Sequence, residues 1–288
     1  MHDTVCVVEL FIASCCVLPE PDFDAQPLDQ ALRAQGVVPT VLGWDDPAAA
    51  WRQAEAVLIR STWNYPQHPE AFLRWLDLVA AHASIWNPAE VVRWNLHKGY
   101  LCELGDAGVP VTPTLLLPRH STAELPVLLA AQQWSRAVIK PAISAGSYRT
   151  LRVDDPNSKS AQAHLEGLLR DGDVLIQRYL DSVEDYGERA LVWIDGELTH
   201  AVRKSPRWAG EDESVSAALS ITAAERALAD AALAKVPGEL LYARIDVAPG
   251  PAGAPVLMEL ELIEPSLFFP QHPPALTRYA SSVAARLR

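Results

Sequence analysis

Leu240–Ser266 reads LLYARIDVAPGPAGAPVLMELELIEPS, two strand-like runs joined by a Gly/Pro/Ala loop. On the first run Tyr242, Arg244 and Asp246 share one parity, and Leu241, Ala243, Ile245 and Val247 the other. On the second, Glu259 and Glu261 oppose Met258, Leu260 and Leu262. Side chains alternate faces along a strand, so both glutamates point the same way, and Asp246 joins them if the strands pair. Three carboxylates on one face repel each other and resist desolvation unless a cation sits among them. Hard divalent ions such as Mg2+ take oxygen sets of this kind, often shared with phosphate oxygens. Taken alone, the stretch fits a solvated acidic strand face equally well. Glu264 has the opposite parity and is assigned a structural part.

Immediately upstream, Glu188–Lys204 reads ERALVWIDGELTHAVRK. Asp195–Gly196 between two apolar-alternating runs predicts a hairpin, which ends in Arg203–Lys204. Such a basic end is solvated or faces an anion. Trp208–Ser216 is polar and acid-rich and reads as a mobile loop that closes over a site. Ala223–Lys235 reads as a helix, and Leu276–Leu287 as a closing one. Further back, Val174–Leu180 and Ala137–Lys140 read as strands. Between Lys140–Pro141 and a strand ending at Val153 lies the small-residue loop Ala142–Arg149. A loop of this kind after a lysine lays backbone N–H groups over phosphates, or is an ordinary turn. Neither GxxxxGK[ST] nor GxGxxG is present. Val111–Leu117 reads as a strand, followed by a helix capped by Ser121 or Thr122. Glu90–Ala107 reads as one helix carrying Lys98, and a solvated lysine is the ordinary case there.

Residues 1–92 alternate strands and helices, which implies a parallel sheet. The strands lie within Val5–Cys16, at Val37–Leu42 and at Ala56–Ile59. The helices are Pro27–Gln35, a segment near Pro47–Ala54, and Pro69–Ala81. The third strand runs into Arg60-Ser-Thr-Trp-Asn-Tyr65. Polar and aromatic residues at the carboxyl end of a parallel strand are where such sheets bind ligands, although a surface turn with one packed Trp also fits.

Composition removes several function classes. The chain has 288 residues, 49% hydrophobic and 21% charged, with a net charge of −12. That balance argues against a nucleic-acid or anionic-membrane surface as the main partner. Val5–Leu18 is apolar but interrupted by Glu9 and too short to span a bilayer. The four cysteines form no CxxC pair and no zinc spacing, which suits a reducing cytoplasm. No GxSxG or other nucleophile constellation is present.

Lys98, VIKP (Val138–Pro141), IQRYL (Ile176–Leu180), GERALVWIDGELTHAVRK (Gly187–Lys204) and YARIDV…VLMELELIEPSLF (Tyr242–Phe268) follow one another in this order. The order resembles the ATP-grasp superfamily, in its glutathione-synthetase-like branch. The last two motifs look most like the small group containing the cyclo-ligase that closes O-ureidoserine to cycloserine. The resemblance covers nearly the whole chain. Its first ten residues add little, the family-like start lying nearer Phe11, as an N-terminal extension or an upstream start codon would produce. The resemblance implies an α/β fold, α+β in its second half, with an N-terminal parallel-sheet pre-ATP-grasp domain. It divides the chain into a substrate-side domain (1–92), a subdomain with the phosphate loop (93–179) and a subdomain with the Mg-binding hairpin (180–288).

The resemblance also implies residue roles. Lys98 and Lys140 contact ATP phosphates, with Ser144 and Gly146 in the loop above them. Gln177, Arg178, Tyr179 and Leu180 line the adenine, and Glu184 faces the ribose. Arg203 and Lys204 face the γ-phosphate and the developing acyl phosphate. Asp246, Glu259 and Glu261 hold one or two Mg2+, with Mn2+ as a substitute. Arg60, Ser61, Thr62 and Ser266 are candidates for the substrate carboxylate, with Arg189 behind them. Two departures stand out: Glu261 replaces the Asn of the usual E-x-N pattern, and the loop has one glycine. The implied activity is ATP-dependent carboxylate ligation of a small amino-acid-like substrate, through an acyl phosphate captured by a nitrogen nucleophile. An intermolecular amino-acid or peptide ligase and a catalytically silent nucleotide-binding protein are the rivals. A cytoplasmic homodimer that binds neither nucleic acid nor membrane is compatible with all three.

Overall fold

The computed structural model describes residues 8–205 and 214–288. The apolar run Val8–Ser14 (β1) pairs in parallel with Val37–Gly43 (β2) and with Ala56–Ile59 (β3). A short strand, Ser84–Trp86 (β4), extends the sheet to the order β2-β1-β3-β4. Buried on both faces, such strands need apolar residues of both parities. Leu10, Ile12 and Leu58 meet Leu28 and Leu32 of Ala25–Ala34 (α1) on one side. Phe11, Ala13, Val57 and Ile59 meet Pro69–Ala80 (α2) and Ala89–Leu96 (α3) on the other.

After Tyr100–Asp106 (α4) comes a second, antiparallel sheet. Its strands are Thr114–Leu117 (β5), Ala137–Pro141 (β6), Leu151–Val153 (β7) and Val174–Arg178 (β8), in the order β5-β8-β6-β7. Leu125–Ala131 (α5) and Lys159–Asp171 (α6) cover one face through Leu125, Leu129, Leu165 and Leu168.

A short helix, Ser182–Tyr186 (α7), leads into the third sheet, which is built from two hairpins. Glu188–Ile194 (β9) and Glu197–Lys204 (β10) turn through Asp195 and Gly196, both at positive φ (45° and 91°), as a two-residue hairpin demands. Tyr242–Pro249 (β11) and Pro255–Glu261 (β12) complete the order β10-β9-β11-β12. One face packs on α4 and Ala223–Leu233 (α8), the other on Pro273–Arg286 (α9) and, beyond it, on the first sheet.

Several expectations are corrected. Only a single 3-10 turn, Trp51–Gln53, lies where a helix near Pro47–Ala54 was expected. The strand at 111–117 begins only at Thr114, and α5 starts at Leu125, after the Ser121 and Thr122 candidate caps. The helix expected over Glu90–Ala107 is broken at His97–Gly99, so Lys98 sits in a break and not on a helix. The break lies at His97, whose backbone is extended (φ −102°, ψ 112°), and the Gly99 N–H donates to the His97 Nδ1 at 3.1 Å. The Lys98 N–H donates to the Ala142 carbonyl at 2.7 Å, which brings Lys98 beside the loop after β6. The segment read as a mobile loop, Trp208–Ser216, lies mostly outside the described residues. None of the described helices is long and apolar enough to cross a membrane.

Candidate active site

Strand pairing builds a charged face on the third sheet. Lys204 pairs with Glu188, Asp246 with Glu259, and Arg244 with Glu261, and residues directly opposed across strands share a face. This face borders a cavity of about 520 Å³ between the three sheets, which Lys98, Lys140, Ser144, Gly146 and Gln177 also line.

The outer edge of β12 is held unusually firmly. A sheet edge leaves backbone groups in need of partners. Asn95 donates to the Leu260 carbonyl and accepts from the Leu262 N–H, at 2.8 and 2.9 Å. The Tyr100 hydroxyl serves the Leu260 carbonyl and N–H, at 2.8 and 3.0 Å. Asn87 donates to the Leu262 carbonyl at 2.8 Å. These side chains fix the strand that presents Glu259 and Glu261.

Ion pairs organise the face. Arg244 reaches Asp246 through Nε and Nη2, both at 2.9 Å, and also bonds Glu261. Lys204 donates to Asp246 at 2.8 Å and pairs with Glu188. Lys98 bonds Glu259, and Lys140 lies 3.4 Å from the same carboxylate. Burial alone would neutralise Lys204, but Asp246 and Glu188 outweigh it and hold its pKa above the ordinary value. Burial likewise opposes the Asp246 charge, and Arg244 and Lys204 overcome it, keeping that carboxyl below its usual range. Lys140 goes the other way: burial, and then the neighbouring Lys98, push it down to about 7. Burial followed by Glu261 pushes Glu264 up to about 8.

Asp246, Glu259 and Glu261 are hard oxygen donors on one face, and that chemistry fits Mg2+. Among the described residues no three His, Cys, Asp or Glu side chains close on one point, because these carboxylates turn toward Arg244, Lys98 and Lys140.

Other candidates stand apart from the cavity lining. Arg203 is exposed on the opposite strand face, its guanidinium 5.5 Å from the Tyr186 ring centroid, since neighbours on a strand point opposite ways. Arg60, Ser61 and Thr62 are buried and do not line the cavity. Arg60 pairs with Asp24, whose carboxylate accepts from the Leu267 and Phe269 N–H groups at 2.6 and 2.8 Å. Arg189, too, is buried on the far face, paired with Glu225. The next residues along the 60–65 loop, Trp63 and Tyr65, line the cavity instead, with Ser266. Arg178 and Leu180 are not in the lining. Tyr179 lies between the guanidiniums of Arg136 and Arg152, 4.7 and 5.1 Å from its ring centroid. Glu184 pairs with both arginines, at 2.7 and 3.3 Å.

Glu188, Arg244 and Asn95 line the cavity without having been singled out, while Tyr65 belongs to the 60–65 stretch read as a ligand-binding strand end. Arg244 was visible in its shared parity with Asp246. Glu188 had a signal in Gly187, where a Cβ would sit 2.1 Å from the Lys204 carbonyl oxygen, so glycine marks the close approach that sets Glu188 against Lys204.

Comparison with known proteins places this geometry. The family model for the N-terminal domain of D-cycloserine synthetase DcsG matches residues 10–87. The cycloserine biosynthesis protein DcsG of Streptomyces lavendulae is 32% identical over 283 residues, covering 93% of this chain and 95% of that protein. The crystal structure of D-cycloserine synthetase DcsG superposes with a TM-score of 0.89 at 31% identity, over 97% of this chain and 100% of that one. The ATP-grasp ligase PsnB, in complex with a phosphomimetic variant of its minimal precursor, Mg and ADP, shares the fold with a TM-score of 0.64. Its identity is 18%, over 98% of this chain and 99% of that one.

Proposed function

We propose a cyclo-ligase mechanism for this chain, which belongs to the D-cycloserine synthetase DcsG family of ATP-grasp ligases. Membership makes it an ATP-dependent, ADP-forming carbon–nitrogen ligase. The substrate carboxylate of a small amino-acid derivative attacks the γ-phosphorus of ATP and releases ADP. A nitrogen of the same molecule then displaces phosphate from the acyl phosphate and closes a ring. Such chemistry needs positioning and charge neutralisation more than an acid or base.

The observation that carries the reading is the charged strand face, with two lysines from elsewhere in the chain converging on Glu259. In this reading Lys98 and Lys140 leave Glu259 for the phosphates, and Lys204 meets the transferring group. Asp246, Glu259 and Glu261 hold one or two Mg2+, which would neutralise phosphate charge; Mn2+, with similar oxygen preferences, would replace it. Ser144 and Gly146 lie over the phosphates, and Gln177 borders the adenine. Ser266 lies on the substrate side. The free thiols of Cys15, Cys16 and Cys102 suit work in the cytoplasm.

The test is ADP release with Mg-ATP against amino acids and their derivatives, O-ureidoserine included, with the mass of every product recorded. A product derived from one substrate molecule supports ring closure. A product joining two molecules replaces it with intermolecular ligation, and no ADP release from any compound rejects turnover.

A further inference from the structure

Charges around the strand face pair off, with one exception. Glu188 meets Lys204, Asp246 meets Lys204 and Arg244, Glu259 meets Lys98 and Lys140, and Glu261 meets Arg244. Glu264 follows the end of β12, lines the cavity and is only 7% exposed, yet has no ion-pair partner among the described residues. Tyr65 lines the same cavity and acts on Glu264 electrostatically. Both residues are held in place. The Tyr65 ring stacks on Phe72 with centroids 5.0 Å apart, and the Trp63 indole N–H donates to the Glu264 carbonyl at 2.9 Å. A buried carboxylate is unfavourable until a cation meets it.

The location narrows which cation. Glu264 lies where the loop leaving β3 meets the loop leaving β12, near Ser266 and beyond the carboxyl ends of the parallel strands. Open α/β sheets bind small ligands in that position. Lys98, which acts on it electrostatically, is already committed to Glu259.

We infer that Glu264 receives the protonated primary amine of the substrate. The ligase therefore selects compounds that carry a free ammonium near the carboxylate it activates. This deepens the ligase reading and rests on it. A carboxylate has lone pairs on both oxygens to accept the N–H groups of an ammonium. A compound without the amine leaves Glu264 buried and unpaired, which is how a polar site rejects an analogue lacking its partner.

The test is calorimetric titration of the Mg·ADP-loaded enzyme with O-ureidoserine and with its N-acetyl and 2-deamino analogues. Wild type should prefer the free amine by roughly 10- to 100-fold. Glu264→Gln, which keeps the shape and removes the charge, should erase that preference and leave Mg·ADP affinity unchanged. A merely structural role would weaken all three compounds alike. An intact preference in Glu264→Gln overturns the subsite, as does a parallel loss of Mg2+ affinity, which would make Glu264 an ion ligand. ADP release is read separately. A Glu264-dependent amine preference without ADP release by wild type defeats the ligase reading alone. ADP release by both wild type and Glu264→Gln, with the preference unchanged, defeats the subsite alone. Wild type binding none of the compounds defeats both.

Discussion

One face of the sheet β10-β9-β11-β12 carries two chemistries. Toward α9 it presents Val192, Val202 and Tyr242, which share a core with Leu267, Tyr279 and Val283. Toward the cavity it presents Lys204, Asp246, Arg244, Glu259 and Glu261. Strands and backbone bonds run through both ends, so only the cover differs. The apolar end is stabilised by about 25 cal/mol for each Å² of apolar surface removed from water. The charged end returns little, because the desolvation of buried ions roughly cancels their attraction. A charged face that adds little to stability is suited to a ligand with its own charges.

The contrast can be broken from either end. The largest effect is expected from Glu261→Ala. It should lower Mg-dependent ADP release at least about 100-fold, beyond what loss of a group merely supporting a metal ligand causes, with the circular-dichroism melt retained. Near-normal release would remove Glu261 from the metal set. Lys140→Ala should weaken Mg-ATP binding roughly 10- to 100-fold in calorimetry, the loss of one charge-assisted phosphate contact. An unchanged affinity would detach β6 from the nucleotide.

The apolar end should show its difference through pH. Burial, and then the stacked His272 ring 4.8 Å away, push His200 from 6.5 down to about 4. Between those values the unfolded chain binds a proton that the folded chain refuses. The stability from keeping His200 neutral is therefore complete above 6.5 and declines as pH falls toward 4. Thermal melts from neutral to acidic pH should fall less steeply for His200→Leu than for wild type in that window. Parallel slopes would show that His200 is not the titrating group. The smallest effect belongs to Arg203→Ala, on the far face. Stability should change by less than about 0.5 kcal/mol and ADP release should not change. A large loss of turnover would return Arg203 to the site beside Lys204.

Much of this was legible in local sequence because strands write their faces with period two. The Asp195–Gly196 turn and the shared parity of Glu259 and Glu261 depend on neighbours in the chain, and both occur as expected. The same rule, applied one step further, separates Lys204 from Arg203. It failed where a residue's role depends on distant partners. Arg60 looked like a ligand group at a strand end, but it serves Asp24, which holds the turn through Leu267 and Phe269. Lys98 was read on one helix over Glu90–Ala107, but the chain leaves the helix at His97, whose extended backbone sets Lys98 against the Ala142 carbonyl.

By itself the sequence determined the two late hairpins and the set of carboxylates with their common face, since each follows from spacing along one strand or turn. Only the tertiary structure decided which cations meet those carboxylates. Lys98, Lys140 and Lys204 come from three separate segments, and their convergence with Arg244 is set by how three sheets pack around one cavity. It also decided which cavity carboxylate has no ion-pair partner among the described residues. Local spacing separated Glu264 by its parity and gave it a structural part, but burial and ion pairing are properties of the assembled surface, and only there is Glu264 seen to line the cavity with Glu259 and Glu261.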